Sequence, residues 1–159
     1  MITLYTDGAA RGNPGPGGYG AILRYGSYEK ELSGAYRMTT NNRMELLAVI
    51  KGLEALKKPN QVVTVYSDSI YVVKAVMAGW LIQWERKNFH QKKNKDLWML
   101  FLKVYRQHKV KLSWIEGHAG HLYNERCDKL ATQAALQGPW ARDEGYEILL
   151  AKKDKPTIV

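Results

Sequence analysis

At 159 residues the chain is long enough for one full hydrophobic core and short for two domains. Its 45% hydrophobic and 25% charged content is that of a soluble globular protein, and a formal charge of +9 favours a polyanionic partner, because a cationic surface attracts phosphates at long range. The single cysteine, Cys127, excludes an internal disulfide and fits a reducing cytoplasm. Residues 1–20 lack the apolar core of a secretory signal, and no apolar run reaches the about 20 residues of a membrane span.

"MITLYTD" alternates, with Ile2, Leu4 and Thr6 on one face and Tyr5 and Asp7 on the other, and reads as a strand ending at Asp7. A glycine- and proline-rich stretch, "GAARGNPGPGGYG", follows at once. Gly15, Gly17 and Gly20 formally match G-x-G-x-x-G, but a dinucleotide cradle needs a helix next, and strand-like "YGAILRY" stands there instead. The glycines are therefore expected to connect one strand to the next beside Asp7. "YEKELSGAYR" continues as a strand, and Gly26-Ser27 between the two suits a type II′ hairpin turn.

The period then changes. Leu46, Val49, Ile50, Leu53 and Leu56 recur every three or four residues, predicting an amphipathic helix over about 42–58, stopped by Pro59 and Asn60. "QVVTVYSD" is a nearly continuous apolar strand, as expected when both faces are buried. "SIYVVKAVMAGW" reads as a helix broken near Gly79, and "DLWMLFLKVYRQH" as another beyond a highly charged stretch. "VKLSWIE" is a last strand, "GHAGH" a loop, and "NERCDKLATQAAL" a helix ended by Gly138-Pro139. This order predicts an α/β protein with one mixed sheet and helices on its faces. If the strands before Asp7 and Asp68 are parallel neighbours, both acids emerge at the carboxyl edge where ligands collect.

Four acids stand out, and each has a structural alternative. Asp7-Gly8 could be a turn, Asp68 could cap the helix from Ser69, Glu45 could close a capping box with Asn42, and Asp128 could be a solvated helix acid. Asp128 fits its alternative least, because it borders the small apolar stripe Cys127, Leu130, Ala131 and Ala134. Brought together, the four would repel and need protons or a cation. An all-oxygen set selects hard divalent ions, above all Mg²⁺.

"TDGAARGNPGPGGYGAILRY", "TTNNRMEL", "SDSIYVV", "KNKDLW" and "GHAGHLYNERCDKLA" together resemble type 1 ribonuclease H of the bacterial kind, over residues 1 to about 150. The resemblance implies the ribonuclease H fold, a five-stranded mixed β-sheet flanked by α-helices. It implies a monomeric, metal-dependent endonuclease that cuts the RNA strand of RNA–DNA hybrids and leaves 5′-phosphate and 3′-hydroxyl ends. The family's catalytic and metal-binding carboxylates fall on Asp7, Glu45, Asp68 and Asp128, with two Mg²⁺ ions in the substrate complex and Mn²⁺ able to substitute. Its mobile histidine falls on His118, whereas His121 reads as structural. The single catalytic domain would occupy residues 1–150, and the polar stretch 151–159 would fray.

Positions that read the hybrid are carried over in the same way. Asn13, Asn41 and Asn42 match positions that contact the hybrid; their amides can both donate and accept, as reading a minor groove of 2′-hydroxyls requires. Thr40 and Asn94 match a pocket for one DNA phosphate. In many relatives an arginine stands two residues before Thr40; here Met38 does, and the adjacent Arg37 would point to the other side of an extended strand. Residues 80–95 resemble the family's basic protrusion. Trp80 and Trp84 share a helical face, Arg86, Lys87, Lys92, Lys93 and Lys95 supply charge, and Glu85 dilutes it. The alternative for this segment is core tryptophans beside a solvated charged loop. A catalytically silent hybrid sensor on the same fold is the rival from another class, but all four acids are present. The asparagines and the basic segment argue against a DNA-cleaving recombinase or resolvase.

Overall fold

The computed structural model describes residues 1–117 and 119–154. Three antiparallel strands open it: β1 (Ile2–Ala10), β2 (Gly15–Tyr25) and β3 (Tyr28–Thr39). Gly26, with φ +59°, provides the left-handed residue of the tight β2–β3 turn, while Ser27 keeps a negative φ, as the type II′ form requires. Helix α1 (Asn41–Glu54) leads to β4 (Val62–Ser67), and helices α2 (Ile70–Met77), α3 (Trp80–Arg86) and α4 (Lys95–Tyr105) lead to β5 (Lys109–Trp114). Helix α5 (Leu122–Gln137), a two-residue strand β6 (Trp140–Ala141) and α6 (Glu144–Asp154) complete the chain. The sheet order is β5-β4-β1-β2-β3-β6, with β4 parallel to β1 and to β5. No helix among the described residues is long and apolar enough to cross a membrane.

Several boundaries differ from the sequence reading, each for a local reason. The first strand runs on past Asp7 to Ala10, because Gly8, Ala9 and Ala10 pair with Tyr19, Gly18 and Gly17. Most of the glycines expected in a connecting turn therefore lie inside β2, where Gly18 and Gly20 face α5. α1 ends at Glu54 rather than near 58; its apolar stripe continues to Leu56, but that residue packs on the core from outside the helix. The sheet has a sixth strand, β6, which adds to the β3 edge at Ala35 and Tyr36. α6 occupies part of the stretch expected to fray and runs through residue 154, while residues 155–159 lie outside the described residues. Sequence periodicity gives no signal for α6, since its Ile148 and Leu149 remain largely exposed.

The core lies between the sheet and α1, α2 and α4, with Leu4, Met44, Ile50, Val65, Val72, Trp98 and Phe101 fully buried. α5 covers the opposite face. Two glycines set how closely the helices approach. A Cβ on Gly8 would lie 2.3 Å from the Met44 carbonyl carbon and 2.4 Å from the Glu45 nitrogen. A Cβ on Gly20 would lie 2.4 Å from the Cys127 carbonyl oxygen. Gly20 is the register partner of Asp7, so α5 docks directly over that carboxylate's own position.

Gly20→Ala is therefore expected to lower stability by about 1–3 kcal/mol, the usual cost of overpacking, because backbone cannot yield as a flexible side chain does. The midpoint of urea unfolding checks this; an unchanged midpoint would mean that α5 shifts freely.

Candidate active site

Asp7 lies where the parallel pairing of β1 with β4 stops at Thr6 and Ser67, and Asp68 directly follows β4. The two acids thus leave adjacent parallel strands at one edge, as the sequence reading requires. Side chains alternate along β1, so Asp7 faces α5 while Gly8 faces α1. Glu45 does not close a capping box. Thr40 caps α1 instead, its hydroxyl accepting from Arg43 N at 3.2 Å. Glu45 turns to the sheet, where the Gly8 N–H donates to its Oε1 and also to Asp7 Oδ1, the latter at 2.9 Å. Asp68 is not a cap either, because Ser69 caps α2 by accepting from Val72 N at 3.2 Å.

Asp7, Glu45 and Asp68 each offer an oxygen within 4.8 Å of the others. Asp128, half-buried on α5, lines the same groove together with Asn41, Asn42 and Tyr71. Burial is the main reason that the Asp7 carboxyl is raised to about 7, with the charges of Asp68 and Asp128 adding to it. Glu45 is pushed well above the usual carboxylate range, first by burial and then by its hydrogen bond to Asp7. Without a cation the pair thus holds a proton near neutrality. All-oxygen donors whose mutual repulsion a cation would relieve fit a hard divalent ion.

The site is braced from behind. Asn124, buried on α5, donates from Nδ2 to Asp68 Oδ2 at 3.4 Å, and Trp114 Nε1 donates to the Asp68 carbonyl at 3.2 Å. A Cβ on Gly117 would sit 2.6 Å from Asp68 Oδ2, so that loop presses against the carboxylate. His121 caps α5 through Nδ1, which accepts from Asn124 N at 3.4 Å, and it is structural as expected. His118 lies outside the described residues. Sequence reasoning missed Asn124; the signal that could have found it is its place four residues before Asp128, on the same helical face.

Asn13 Oδ1 accepts from Asn41 N at 3.1 Å, and Asn41 Oδ1 accepts from Ala10 N at 2.6 Å. Both side chains tie the β1–β2 turn to the start of α1 and leave their amide N–H groups for another acceptor. Behind Thr40 a buried polar network was also missed. Arg43 pairs with Asp143 at 2.8 Å and with Asp96 at 2.7 Å, and its Nη1 donates to Asn94 Oδ1 at 3.4 Å. Asn94 Nδ2 and Trp98 Nε1 both donate to the Tyr71 hydroxyl oxygen. Arg37 is engaged with Glu147 at 2.9 Å, away from Thr40 and Asn94.

The basic segment forms a groove beside the acids. Trp80, Trp84, Tyr71, Lys74, Gln91, Lys92 and Lys93 line it. Trp80 is 44% exposed, so the core alternative fails for it, whereas Trp84 packs edge-on against buried Trp98. Lys92 Nζ stands 5.1 Å from the Trp84 ring centre. Arg86, Lys87 and Lys95 are exposed nearby, and Lys95 Nζ donates to Asn88 Oδ1 at 3.3 Å. Glu85 is paired with Arg106 at 2.6 Å, which offsets the charge it was expected to subtract from the segment.

A raised acid pKa costs stability once pH exceeds the unfolded value. The folded state keeps a proton that the unfolded chain has lost, so stability falls from pH about 4 to about 7 and stays low above. Asp7→Asn removes this cost. In a chelator at pH 8 the variant is expected to be more stable than the parent by about 1–4 kcal/mol, with the gain vanishing near pH 4. Urea unfolding at both pH values checks it, and a gain independent of pH would exclude this origin.

The ribonuclease H family model matches residues 1–136 of the chain. A ribonuclease H of Lachnoclostridium phytofermentans is 54% identical over 157 aligned residues, covering 92% of this chain and 99% of its own. That of Syntrophus aciditrophicus is 51% identical over 151 residues, covering 92% and 87%. Among solved structures, LC9-RNase H1, a type 1 RNase H, is similar at TM-score 0.79 and 30% identity, covering 94% of this chain and 80% of its own. LC11-RNase H1, solved in complex with an RNA/DNA hybrid, is similar at TM-score 0.65 and 26% identity, covering 86% and 98%.

Proposed function

The chain belongs to the ribonuclease H family and acts on RNA–DNA hybrids, and from that premise we propose that Asp7, Glu45, Asp68 and Asp128 carry the hydrolysis with divalent cations. The observation behind this is the buried oxygen cluster of Asp7, Glu45 and Asp68, with Asp128 on the same groove. When bound, two Mg²⁺ ions would lower the pKa of the attacking water and neutralise charge on the leaving 3′ oxygen, with Mn²⁺ able to substitute. Asp7, on β1 between β4 and β2, would hold the ions together with Glu45, Asp68 and Asp128. The products would carry 5′-phosphate and 3′-hydroxyl ends. His118, next in the chain after Gly117, would assist proton transfer or product departure.

Recognition would fall to neighbouring groups. The free amide N–H groups of Asn13 and Asn41, with exposed Asn42, suit the minor groove of the hybrid. Thr40 and Asn94 would receive one DNA phosphate. The groove of Trp80, Trp84, Lys92 and Lys93, flanked by Arg86, Lys87 and Lys95, would follow sugars and phosphates of the DNA strand. Residues 1–150 act as one catalytic domain in this reading. The protein would work as a monomer in the cytoplasm, where a lone buried Cys127 stays reduced.

Labelled single-stranded RNA, duplex RNA, duplex DNA and hybrid, each with Mg²⁺ or a chelator, test the reading. Only the hybrid with Mg²⁺ should be cut, and Asp7→Asn should slow cutting by several orders of magnitude while still binding hybrid. A variant within tenfold of the parent rate would overturn the assignment of Asp7.

Neutralising Lys92, Lys93 and Lys95 together is expected to raise KM with little change in kcat. For every phosphate that these lysines no longer neutralise, the log–log salt dependence should flatten by about 0.7–0.9. An unaltered slope would reduce the segment to a solvated loop.

Met38 is half-buried on β3, two residues before Thr40, and the neighbouring guanidinium groups are already engaged, Arg37 with Glu147 and Arg43 with Asp96 and Asp143. Met38→Arg should tighten hybrid binding by about 0.5–1.5 kcal/mol at low salt. The gain should shrink as salt rises. Equal affinity of parent and variant at low salt would show that another cation already serves the phosphate.

A further inference from the structure

Four large apolar side chains that the core leaves outside converge on one spot. Ile70 and Met77 of α2, Trp80 at the start of α3 and Trp114 at the end of β5 are each between 44% and 67% exposed. They line one depression of about 610 Å³, inside the range of about 300–1,000 Å³ common for ligand pockets. Apolar residues scattered singly over a surface need no explanation, whereas a contiguous group marks a binding surface.

The place of the depression narrows its occupant. Ile70 also lines the groove of Asp7, Glu45 and Asp68, so the two share a wall. Trp114 Nε1 donates to the Asp68 carbonyl at 3.2 Å, which ties a second wall to the same acid. Lys74 and Trp80 line the basic groove as well, but Met77 and Trp114 do not, so the depression continues beyond that groove toward β5. A strand that leaves the acids along Ile70 and Trp114 is the strand they cut, the RNA. The chemistry of the wall narrows the occupant further. Its side chains carry one cation, Lys74, and no oxygen. A peptide would bring backbone N–H groups that find no acceptor side chain there. A nucleotide brings an anionic phosphate for Lys74 and a flat face for the two indoles. Inside a duplex both faces of each base are covered by its neighbours, so only an unpaired base has a face to offer.

We propose that this depression binds unpaired bases of an RNA tail running out of the hybrid beside the acids, so that the protein favours hybrids whose RNA extends beyond the duplex. This rests on the reading of Asp7, Glu45 and Asp68 as the edge at which RNA is cut.

The test compares a blunt hybrid with hybrids that carry a single-stranded RNA tail at the 5′ or the 3′ end of the RNA, the same tails without bases, and tails of equal length on the DNA strand. The depression lies to one side of the acids, so an RNA tail of one polarity should lower KM about 5–10-fold, the low end of what one base stacked on an aromatic ring contributes. Abasic and DNA tails add the same phosphates and should leave KM close to the blunt value. Met77→Gln removes part of the apolar wall without altering charge, and Ala78→Leu fills the depression from a neighbouring position. Each should abolish the advantage of the tail and leave the cutting of blunt hybrid unchanged. No advantage at either end, an equal advantage with the abasic tail, or an advantage that survives both variants overturns the proposal. So does a free protein that sediments as a dimer and becomes monomeric in Met77→Gln, because the depression would then be an interface between copies. Failure of the acid reading looks different: Asp7→Asn would then cut blunt hybrid as the parent does. A direct signal comes from a fluorescent adenine analogue placed in the RNA tail of a hybrid bound to Asp7→Asn. Its emission should be quenched at one tail position, and adding Met77→Gln should restore it. Emission unchanged at every tail position also overturns the proposal.

Discussion

Everything functional in this molecule depends on backbone approaching backbone on both sides of Asp7. Gly8 lets the start of α1 settle onto β1, which brings Glu45 to the Gly8 N–H and to Asp7. Gly20, the cross-strand partner of Asp7, lets α5 settle over the sheet at Cys127, which brings the next residue, Asp128, to the groove. A methyl group at either position would separate a carboxylate from the cluster. The glycine content that looks extravagant beside an acid is therefore the condition for gathering acids from separate elements.

Gathering them stores electrostatic cost. Burial and mutual repulsion raise Asp7 and Glu45, so the folded chain alone holds protons where free carboxylates would be ionised. The fold bears this because much surrounding packing is independent of it: Leu4, Met44 and Val65 bury the strands and helix that carry the acids. Such an acidic cluster is typical of a metal-dependent ribonuclease H, because a cation between the carboxylates would relieve their repulsion.

A second charged cluster works by the opposite logic. Arg43 is buried, but Asp96 and Asp143 neutralise it, and removing one partner would leave an uncompensated buried charge. Through Asp143 this cluster ties the segment preceding α6 to the start of α1, with Thr39 also donating to Asp143 at 2.7 Å. Through Asn94 it reaches the basic segment, whose chain path depends on buried Phe89 and on left-handed turns at Asn88, Gln91 and Asn94. The acid edge and the basic groove are thus held in one frame by a network in which one buried guanidinium is shared between two carboxylates.

The sequence by itself determined the element order as far as α5, the amphipathic α1 and the family resemblance, because these rest on periodicity, turn residues and motif spacing, which are local. That the strands before Asp7 and Asp68 are parallel neighbours was a condition that the pairing of β1 with β4 meets. The sequence also separated His121 from His118 by position at a helix start. Tertiary structure alone decided the rest. Asp68 and Glu45 looked capable of capping their helices, and only the fold shows Ser69 and Thr40 in that role, since a cap depends on which backbone N–H remains unpaired. β6 and α6 left no periodic signal, because they are held at an edge by ion pairs and a short ladder more than by an apolar stripe. Arg43, Asn94, Tyr71 and Trp98 lie up to 55 positions apart in the chain, and their hydrogen bonds follow from which surfaces meet, a property of packing that no local pattern encodes.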